Sequence, residues 1–556
     1  MTDSLVTITI TDSWNELLQS PGRAALEAAL PAYIQPRRWF GGKARGIASA
    51  RIVDTIPISY AGAQASIAMV RVSYQEGEPD IYVLPLTFAP GDRAGQLVHE
   101  LPHAVVARVA GPGAISGVLY DALLDRGLCA ALLELIADSA QLAGQIGAIQ
   151  ASATSAFGRL RGADPARLEP KIVTAEQSNS SIIYGDRLIM KLFRRLEPGL
   201  NPDLEIGRFL TERSTFRHVP PAAGALEYRR PAGEPGSLAI LQGFVPNQGD
   251  AWGFTLRTIA ASFDAVAADS SKRVPGSAST PVGSPLARAA QALPSDLRPF
   301  IGDYLASAEL LGQRTAEMHL ALSGDDADPA FAPEPFGERY RRSVIYSMRE
   351  RATRSFQMLR AKLADLSEPL RASALRILEA EQQILSRIQL PFEQAIDAMR
   401  TRIHGDYHLG QVLYTGADFM IIDFEGEPAR PLSERRIKSS PLQDVAGMLR
   451  SFHYAPYAVL MNAAAARPNR PAPEWDVANL EPWARVWHYW VSAAFLKSYL
   501  AAAGQASFLP ASRIELEQLL DAFLLDKALY ELNYELNNRP DWLPIPIEGI
   551  LQLIAA

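Results

Sequence analysis

The stretch from His404 to Gln411 (His-Gly-Asp-Tyr-His-Leu-Gly-Gln) is the feature that most limits what this chain can fold into. Two short apolar segments follow it, Val412–Tyr414 and Phe419–Ile422, and the polar turn Thr415–Asp418 lies between them. Apolar, β-rich segments on either side of such a turn predict a β-hairpin. If Tyr414 pairs with Phe419, the residues Thr415–Asp418 form the turn.

This hairpin would bring three oxygen-bearing side chains together. Gln411 would lie opposite Ile422, next to Asp423, and cross-strand neighbours lie roughly 5 to 8 Å apart. Asp406 lies in the loop just before the first strand. Mg²⁺ takes oxygen ligands at about 2.1 Å, so Gln411 and Asp423 are predicted to bind one such ion. The alternative is a hairpin whose carboxylates are simply solvated.

The same spacing is typical of kinase catalytic loops, in which His-x-Asp-x-x-x-x-Asn precedes a metal-binding Asp. In that pattern Asp406 is the catalytic base, and Gln411 stands where Asn is usual. We assign the neighbouring His404 and Glu425 to the acceptor substrate. Arg436 follows in a cationic segment, where it either neutralises a transferring phosphoryl group or only offsets the protein's own acids.

Residues 171–193 predict three strands joined by two turns. The first turn lacks a glycine run and is not a Walker-type loop, but its hydroxyl, amide and backbone N–H groups suit phosphates. Its residues are Gln177, Ser178, Asn179 and Ser180. We predict that they contact the nucleotide.

Lys191 ends the third of these strands among apolar neighbours. Asn201 is a good helix N-cap and Pro202 suits the first helical position, which places Glu205 in the first turn. Kinases hold the α- and β-phosphates with a strand lysine paired to a helical glutamate. We predict this role for Lys191 and Glu205, with a plain surface ion pair as the alternative.

The apolar segment Leu238–Val245 separates sheet-rich from helix-rich sequence. As a hinge it would present Gln242, Phe244 and Val245 to the adenine edge. An ordinary strand that ends in a loop is the alternative.

Near the C-terminus, five polar and aromatic residues share one face of a predicted helix because they lie at helical spacing. They are Lys527, Tyr530, Glu531, Tyr534 and Glu535. Aromatic rings can stack on a sugar and carboxylates can accept its hydroxyls, so the stripe is predicted to face the acceptor. The alternative is a solvated face held by a Lys527–Glu531 pair.

Composition excludes several classes of protein. The net charge of −7 argues against nonspecific nucleic-acid binding. No apolar run approaches the roughly 18 residues of a membrane span, and a secretory signal is lacking, so no membrane partner and a cytoplasmic location are expected. The single cysteine, Cys129, lies in an apolar segment that predicts a core thiol.

The chain organisation predicts an α+β protein. Arg51–Val53, Ser66–Val72 and Asp80–Leu84 are β-rich and predict a small antiparallel sheet, whereas residues 117–149 look helical. Helices dominate from about Asn247 onward. Residues 268–297 are rich in Ser, Gly and Pro, which predicts a mobile loop or insertion.

Together these motifs resemble the bacterial maltokinases. The likeness covers almost the whole chain apart from the Ser/Pro-rich insertion. It rests on His404–Gln411, Ile422–Pro428, Ser440–Ala455, Asn538–Pro544 and, near the start, Arg37–Lys43, which looks like that family's N-terminal cap signature.

The resemblance implies a bilobal protein-kinase-like fold. It implies a cap subdomain over residues 1–110, an intermediate subdomain and β-rich nucleotide-binding N-lobe over 111–245, and a mainly helical C-lobe over 246–556 with the catalytic loop and acceptor site. In the family, the residues matching Asp406, Gln411 and Asp423 are the base and the Mg²⁺ ligands.

The resemblance also implies a reaction. ATP, with Mg²⁺, would phosphorylate maltose at its anomeric hydroxyl to give maltose 1-phosphate for α-glucan and glycogen synthesis. Such kinases often occur fused behind a trehalose synthase, which is the expected partner, although no such domain precedes Met1. A kinase for another sugar such as glucosamine stays open, as does a regulatory ATP-binding module without transferase activity.

Overall fold

A computed structural model describes residues 5–19, 22–111, 116–164, 168–173, 179–268, 283–462 and 475–555. The chain divides into two compact units. The N-terminal unit comprises Met1–Arg213 and Pro220–Pro246, and the C-terminal unit comprises Ser214–Val219 and Asn247–Ala556. Among the described residues, no helix has both the length and the apolar character needed to cross a bilayer.

The described part of the N-terminal unit is built mainly of strands. They are β1 Thr7–Thr9, β2 Ile47–Tyr60, β3 Ala63–Tyr74, β4 Asp80–Pro90, β5 Val105–Ala110, β6 Gly117–Asp121, β7 Gln141–Ala143, β8 Ala148–Ala153, β9 Pro170–Ile172, β10 Asn179–Tyr184, β11 Leu188–Phe193, β12 Arg195–Leu196, β13 Ala222–Arg229 and β14 Gly236–Gly243. Its helices are α1 Gly22–Ile34, α2 Gly91–Glu100, α3 Arg126–Ala137, α4 Phe157–Arg161 and α5 Pro202–Glu212, with 3₁₀ turns at Trp14–Leu18, Lys43–Arg45, Pro102–Ala104 and Ala122–Leu124.

The first sheet of this unit has the strand order β1-β5-β6-β4-β3-β2, and β12 pairs with β4. It is larger than the sequence predicts, and it is not purely antiparallel because β1 runs parallel to β5. Helix α1 buries Leu26, Leu30 and Ile34 in a core shared with β2, β3 and β4. This sheet contains the three strands predicted from the sequence near the N-terminus.

The second sheet has the order β7-β8-β13-β14-β11-β10-β9. Helix α3 covers it and buries Leu128, Leu132 and Ile136 against it. The prediction of helix throughout residues 117–149 is therefore wrong at both ends, which form β6, β7 and the start of β8. Cys129 is a core thiol as predicted, since its Sγ lies 3.1 Å from the carbonyl oxygen of Leu123 and burial raises its pKa to about 12.

Helices make up most of the described C-terminal unit. They are α6 Ala251–Ala267, α7 Pro285–Ala289, α8 Arg298–Ile301, α9 Tyr304–Leu322, α10 Glu338–Lys362, α11 Glu368–Glu379, α12 Glu381–Glu393, α13 Leu432–Arg435, α14 Leu442–Met461, α15 Val477–Ala503, α16 Arg513–Asn538 and α17 Pro544–Ala555. The strands β15 Glu334–Pro335 and β16 Met399–Arg400 pair, as do β17 Val412–Tyr414 and β18 Phe419–Ile421, and 3₁₀ turns lie at Leu363–Asp365, Leu409–Gln411 and Pro540–Trp542.

Helix α14 packs against both α15 and α16, and α9 packs along α15. Their buried faces include Phe452, Trp487, Phe495 and Leu525. Part of the predicted mobile insertion, residues 269–282, lies outside the described residues. Within the remainder, α7 buries Leu286, and the prediction of an insertion stays a prediction.

The observed architecture confirms the α+β class, with a strand-rich N-terminal unit and a mainly helical C-terminal unit.

Candidate active site

The β-hairpin predicted after the loop His404–Gln411 is present with the predicted register. Strands β17 and β18 pair Val412 with Ile421 and Tyr414 with Phe419. The amide of Ile422 donates to the carbonyl of Gln411 at 3.0 Å, so these two residues lie opposite each other as expected. The hairpin therefore places Gln411 and Asp423 at the same end of two adjacent strands.

Asp444, near the start of α14, fixes the loop before this hairpin. Its buried carboxylate accepts the amides of His404 at 2.7 Å and Gly405 at 2.9 Å, and it lies 3.1 Å from Nε2 of His319. Burial alone would raise the pKa of Asp444, but these hydrogen bonds and the neighbouring His319 hold it below its usual range. Gly405 has φ +84°, a conformation that favours glycine.

His404 is buried in the interior of the C-terminal unit. Its side chain is 1% exposed, and its Nε2 lies 2.9 Å from the carbonyl oxygen of Ile422. The Asp406 amide lies 3.4 Å from Nδ1 of the same ring. Both ring nitrogens thus face backbone groups, and the ring links the loop His404–Gln411 to the end of β18.

Asp406 lines a cavity of about 630 Å³. One of its carboxylate oxygens lies 3.3 Å from Nζ of Lys527, and the other lies 3.9 Å from Nε2 of His408. Burial works against the charge of Lys527, but the carboxylates of Asp406, Glu427 and Glu531 outweigh it and raise the pKa of this lysine. Burial lowers the pKa of His408.

The predicted stripe on α16 faces this cavity. Lys527, Tyr530, Glu531, Tyr534 and Glu535 all line it, whereas Leu529, Leu532 and Leu536 of the same helix are buried in the core. Trp252, Tyr454, Arg539 and Trp542 complete the aromatic and cationic part of the wall. The name acceptor cavity is used below for this space.

Two arginines hold the carboxylates of the stripe. Arg450 of α14 pairs with Glu531 at 2.6 Å, and Arg539 pairs with Glu535 at 2.6 Å. Neither ion pair was predicted from the sequence, although the spacing of four residues between Glu535 and Arg539 is typical of a helical ion pair. Arg450 is not recognisable in this way because it comes from another helix.

Asp423 follows β18 with φ +69°, a left-handed conformation that is uncommon for a residue other than glycine. Strain of this kind collects at functional sites. A carboxylate oxygen of Asp423 and one of Glu425 lie within 4.8 Å of each other. Mg²⁺ binds oxygen at about 2.1 Å, so two carboxylates at this spacing fit the chemistry of a divalent cation.

In the N-terminal unit, Lys191 lies on β11 between Ser181 of β10 and Ile240 of β14. Its Nζ lies 3.7 Å from the carboxylate of Asp203. Asn201 caps α5 as predicted, because its side chain accepts the Asp203 amide at 2.8 Å. Glu205 is buried in the first turn of that helix. Asp203 is a residue that the sequence reading missed, although it lies in the same acidic first turn.

The predicted polar turn is only partly within the described residues. Gln177 and Ser178 lie outside them. Asn179 and Ser180 form the start of β10 rather than a turn, since they pair with Phe193 and Leu192. The hydroxyl of Ser180 accepts from Nε of Arg194 at 2.8 Å.

The predicted hinge begins inside β14, where Gln242 pairs with Ile189. The Phe244 amide then donates to the carbonyl of Arg187 at 2.8 Å. Val245 is half-buried, and the chain enters the C-terminal unit after Pro246.

Arg436 is half-buried directly after α13 and is not part of the acceptor-cavity wall within the described residues. Glu425 is likewise absent from that wall in the described structure and lies beside Asp423.

A family model matches part of the N-terminal unit. Residues 33–125 match the maltokinase N-terminal cap domain. Arg37, Trp39 and Phe40 of the cap signature are buried in this segment, where Trp39 and Phe40 pack on Tyr82.

Two curated proteins are similar over most of this cap-bearing chain. A glucosamine kinase from Streptacidiphilus jiangxiensis is 26% identical over 409 residues, which cover 71% of this chain and 75% of that protein. A glucosamine kinase from Mycolicibacterium smegmatis is 26% identical over 392 residues, covering 69% of this chain and 79% of that protein.

A solved glucosamine kinase in complex with glucosamine, ADP and inorganic phosphate has a similar fold. It matches with a TM-score of 0.59 at 18% identity, covering 98% of this chain and 100% of that chain. A second crystal form matches with a TM-score of 0.60. The kinase-like fold of the cap-bearing chain, expected from the sequence, is thereby confirmed.

Proposed function

We propose that this protein is a sugar kinase that uses ATP to phosphorylate maltose at its anomeric hydroxyl, giving maltose 1-phosphate. The observation that carries the proposal is the position of Asp406. Its carboxylate lines the acceptor cavity, is ion-paired with Lys527, and shares that cavity with a wall of aromatic rings and carboxylates.

Asp406 is the proposed catalytic base. A general base must reach the proton that it accepts, and Asp406 faces the space where an acceptor hydroxyl would lie. Lys527 keeps its positive charge, because its pKa is raised, and it orients the Asp406 carboxylate. Phosphoryl transfer depends chiefly on positioning and charge neutralisation, so this pre-set carboxylate suits the reaction.

His404 has a positioning role in this proposal, in place of the substrate contact predicted from the sequence. Its buried ring joins the Asp406 amide to the carbonyl of Ile422. Asp444 supports the same loop through two backbone amides. These contacts fix Asp406 relative to the hairpin that bears Gln411 and Asp423.

Gln411, Asp423 and the neighbouring Glu425 would hold Mg²⁺, which would neutralise charge on the ATP phosphates when bound. Lys191 would bind those phosphates, with Asp203 and Glu205 as its acidic partners on α5. Nucleotide contact stays a prediction for Gln177, Ser178, Asn179, Ser180, Gln242, Phe244 and Val245. Arg436 stays a prediction for phosphoryl neutralisation.

The acceptor cavity has the features that suit a carbohydrate. Sugars offer apolar ring faces for stacking and hydroxyls for hydrogen bonds, and the wall supplies both kinds of partner. Tyr530 and Tyr534 stack at 6.5 Å, as do Tyr454 and Trp542. Glu531 and Glu535, held by arginines, are rigid acceptors for hydroxyl groups.

One finding supports maltose as the acceptor, namely the match of residues 33–125 to the maltokinase cap domain. The cavity of about 630 Å³ lies within the usual range of ligand pockets, roughly 300–1,000 Å³, and so suits a small sugar of either kind. A role in α-glucan and glycogen synthesis, a cytoplasmic location and association with a trehalose synthase stay predictions from the resemblance.

Glucosamine is the second candidate acceptor. The two similar curated proteins are named glucosamine kinases. The acceptor cavity is also rich in acids, since Asp250 and Glu427 line it in addition to Asp406 and the two stripe glutamates. A protonated amine would gain from such an environment.

The deciding experiment measures ADP release from ATP with maltose, glucose and glucosamine, each over a range of concentrations. We expect the highest kcat/KM with maltose, and ³¹P NMR of the product should show phosphate on the anomeric carbon. A higher kcat/KM with glucosamine than with maltose would make glucosamine the acceptor instead of maltose. ATP binding without ADP release for any sugar would indicate a regulatory module.

A further inference from the structure

A second cavity, of about 210 Å³, lies within the C-terminal unit. Helix α14 separates it from the acceptor cavity. Gly447, Ser451 and Tyr454 of this helix line the acceptor cavity, whereas Arg450 and His453 line the second one. The name rear cavity is used for this second space. None of the proposed catalytic or acceptor-stripe residues lines it within the described structure.

The rear cavity is lined by buried polar atoms that have no hydrogen-bond partner among the described residues. These are both ring nitrogens of His453, Nδ1 of His488, Oγ of Ser492 and Nε of Arg288. His453 is 1% exposed. A buried polar group without a partner costs free energy, so a cluster of them around one cavity indicates that the cavity takes a polar ligand.

One arginine of the rear cavity lacks a direct carboxylate partner among the described residues. Arg387 pairs with Asp521 at 2.6 Å, and Arg450 pairs with Glu531. Arg288, from α7, has no ion pair with any carboxylate of the described chain. Its guanidinium lies 4.0 Å from the ring centre of Tyr489, and burial lowers its pKa. Glu517 also lines the cavity, so within the described chain Arg288 is a cation without a direct carboxylate partner rather than an excess charge.

The uncharged groups of the rear cavity suit an acceptor-rich ligand. Burial holds the pKa values of His453 and His488 well below the usual range, so both rings are neutral and each offers one N–H donor and one acceptor nitrogen. Ser492 adds a hydroxyl donor. An oxyanion accepts hydrogen bonds from all of these groups and also pairs with arginine.

We propose that the rear cavity is a binding site for a small phosphate oxyanion, held by Arg288, His453 and Ser492. Inorganic phosphate or the phosphate group of a small metabolite supplies this chemistry. The site is distinct from the acceptor cavity and does not depend on the identity of the sugar.

The test is isothermal titration of the full-length protein with sodium phosphate at constant ionic strength. Arg288→Gln should weaken phosphate binding about tenfold or more, because a charge-assisted hydrogen bond is lost. The matched control is Arg354→Gln on the exposed face of α10, where the arginine pairs with Glu350. Its affinity should stay within about twofold of the wild type.

Ser492→Ala distinguishes binding from a structural role. Its hydroxyl has no partner among the described residues, so the variant should keep the wild-type Tm while phosphate affinity falls several-fold. Lys191→Met, a change on β11 of the N-terminal unit, should retain the wild-type affinity for phosphate. Equal affinity of wild type and Arg288→Gln, loss of binding in Lys191→Met instead, or a cavity that takes only water would each overturn the proposal.

Discussion

Lys527 and Asp406 lie 121 residues apart in sequence and form an ion pair in which Nζ is 3.3 Å from Oδ1. The lysine comes from α16, whose opposite face is buried in the helical core, so its position is fixed by packing. Asp406 comes from a loop fixed by Asp444. The proposed base is therefore set between two rigid elements rather than placed on a freely moving loop.

Replacing Asp406 with Asn should reduce kcat by about 10²–10⁴, the usual contribution of general-base catalysis. Nucleotide affinity should stay near the wild-type value, because Asp406 lines the acceptor cavity. ADP-release kinetics and calorimetric nucleotide titration measure the two quantities. Asp365→Asn, at an exposed position next to Lys362, is the control. A variant with near-normal kcat would contradict the assignment of the base.

Lys527→Met should lower kcat/KM for the acceptor by roughly 10- to 100-fold, because Asp406 loses a charged hydrogen-bond partner. Lys527→Arg should recover part of the loss. The pKa of Lys527 is raised above its usual 10.5, so the lysine stays positively charged at every pH below 10.5. Its stabilising contribution is lost only as the pH rises through the raised pKa. A decline in wild-type activity near pH 8 that disappears in Lys527→Met would contradict this picture.

Asp444→Asn should destabilise the protein by about 3–5 kcal/mol at pH 7, as expected when one partner of a buried charged network is removed. The pKa of Asp444 is lowered on folding, so its contribution is complete above about pH 4, the unfolded value, and is lost as the pH falls through the lower folded value. Denaturant unfolding at several pH values should show the variant and wild type converging on acidification. A difference that is independent of pH would argue against an ionised Asp444.

Structural features that depend on residues close together in the sequence were predicted correctly. The register of β17 and β18 follows from the turn length between Tyr414 and Phe419, and the cap of α5 follows from Asn201 and Pro202. The stripe on α16 follows from helical spacing alone.

Features whose cause lies far away in the sequence were missed or misjudged. Arg450 reaches Glu531 from another helix, and no pattern within either helix reveals this pair. Residues 117–121 look helical because they are apolar, yet they form a strand that is completed by β4 and β5. Asn179 and Ser180 favour a turn by composition, but pairing with β11 extends them.

The Arg450–Glu531 pair offers a test of the acceptor wall. Glu531→Gln should raise the KM for the sugar while leaving the KM for ATP near the wild-type value, because Glu531 lines the acceptor cavity. Arg450→Met should have a similar effect, since Glu531 then loses the guanidinium that orients it.

If the two side chains act as one unit, the double variant should lose little more than either single variant. We expect a coupling of about 1–3 kcal/mol in kcat/KM from the double-mutant cycle. Arg485→Met with Glu481→Gln is the matched control, because that pair lies on α15 outside the acceptor-cavity wall. Additive losses in the Arg450–Glu531 cycle would show that Glu531 binds the sugar without help from Arg450. An unchanged sugar KM in Glu531→Gln would remove the α16 stripe from the acceptor site.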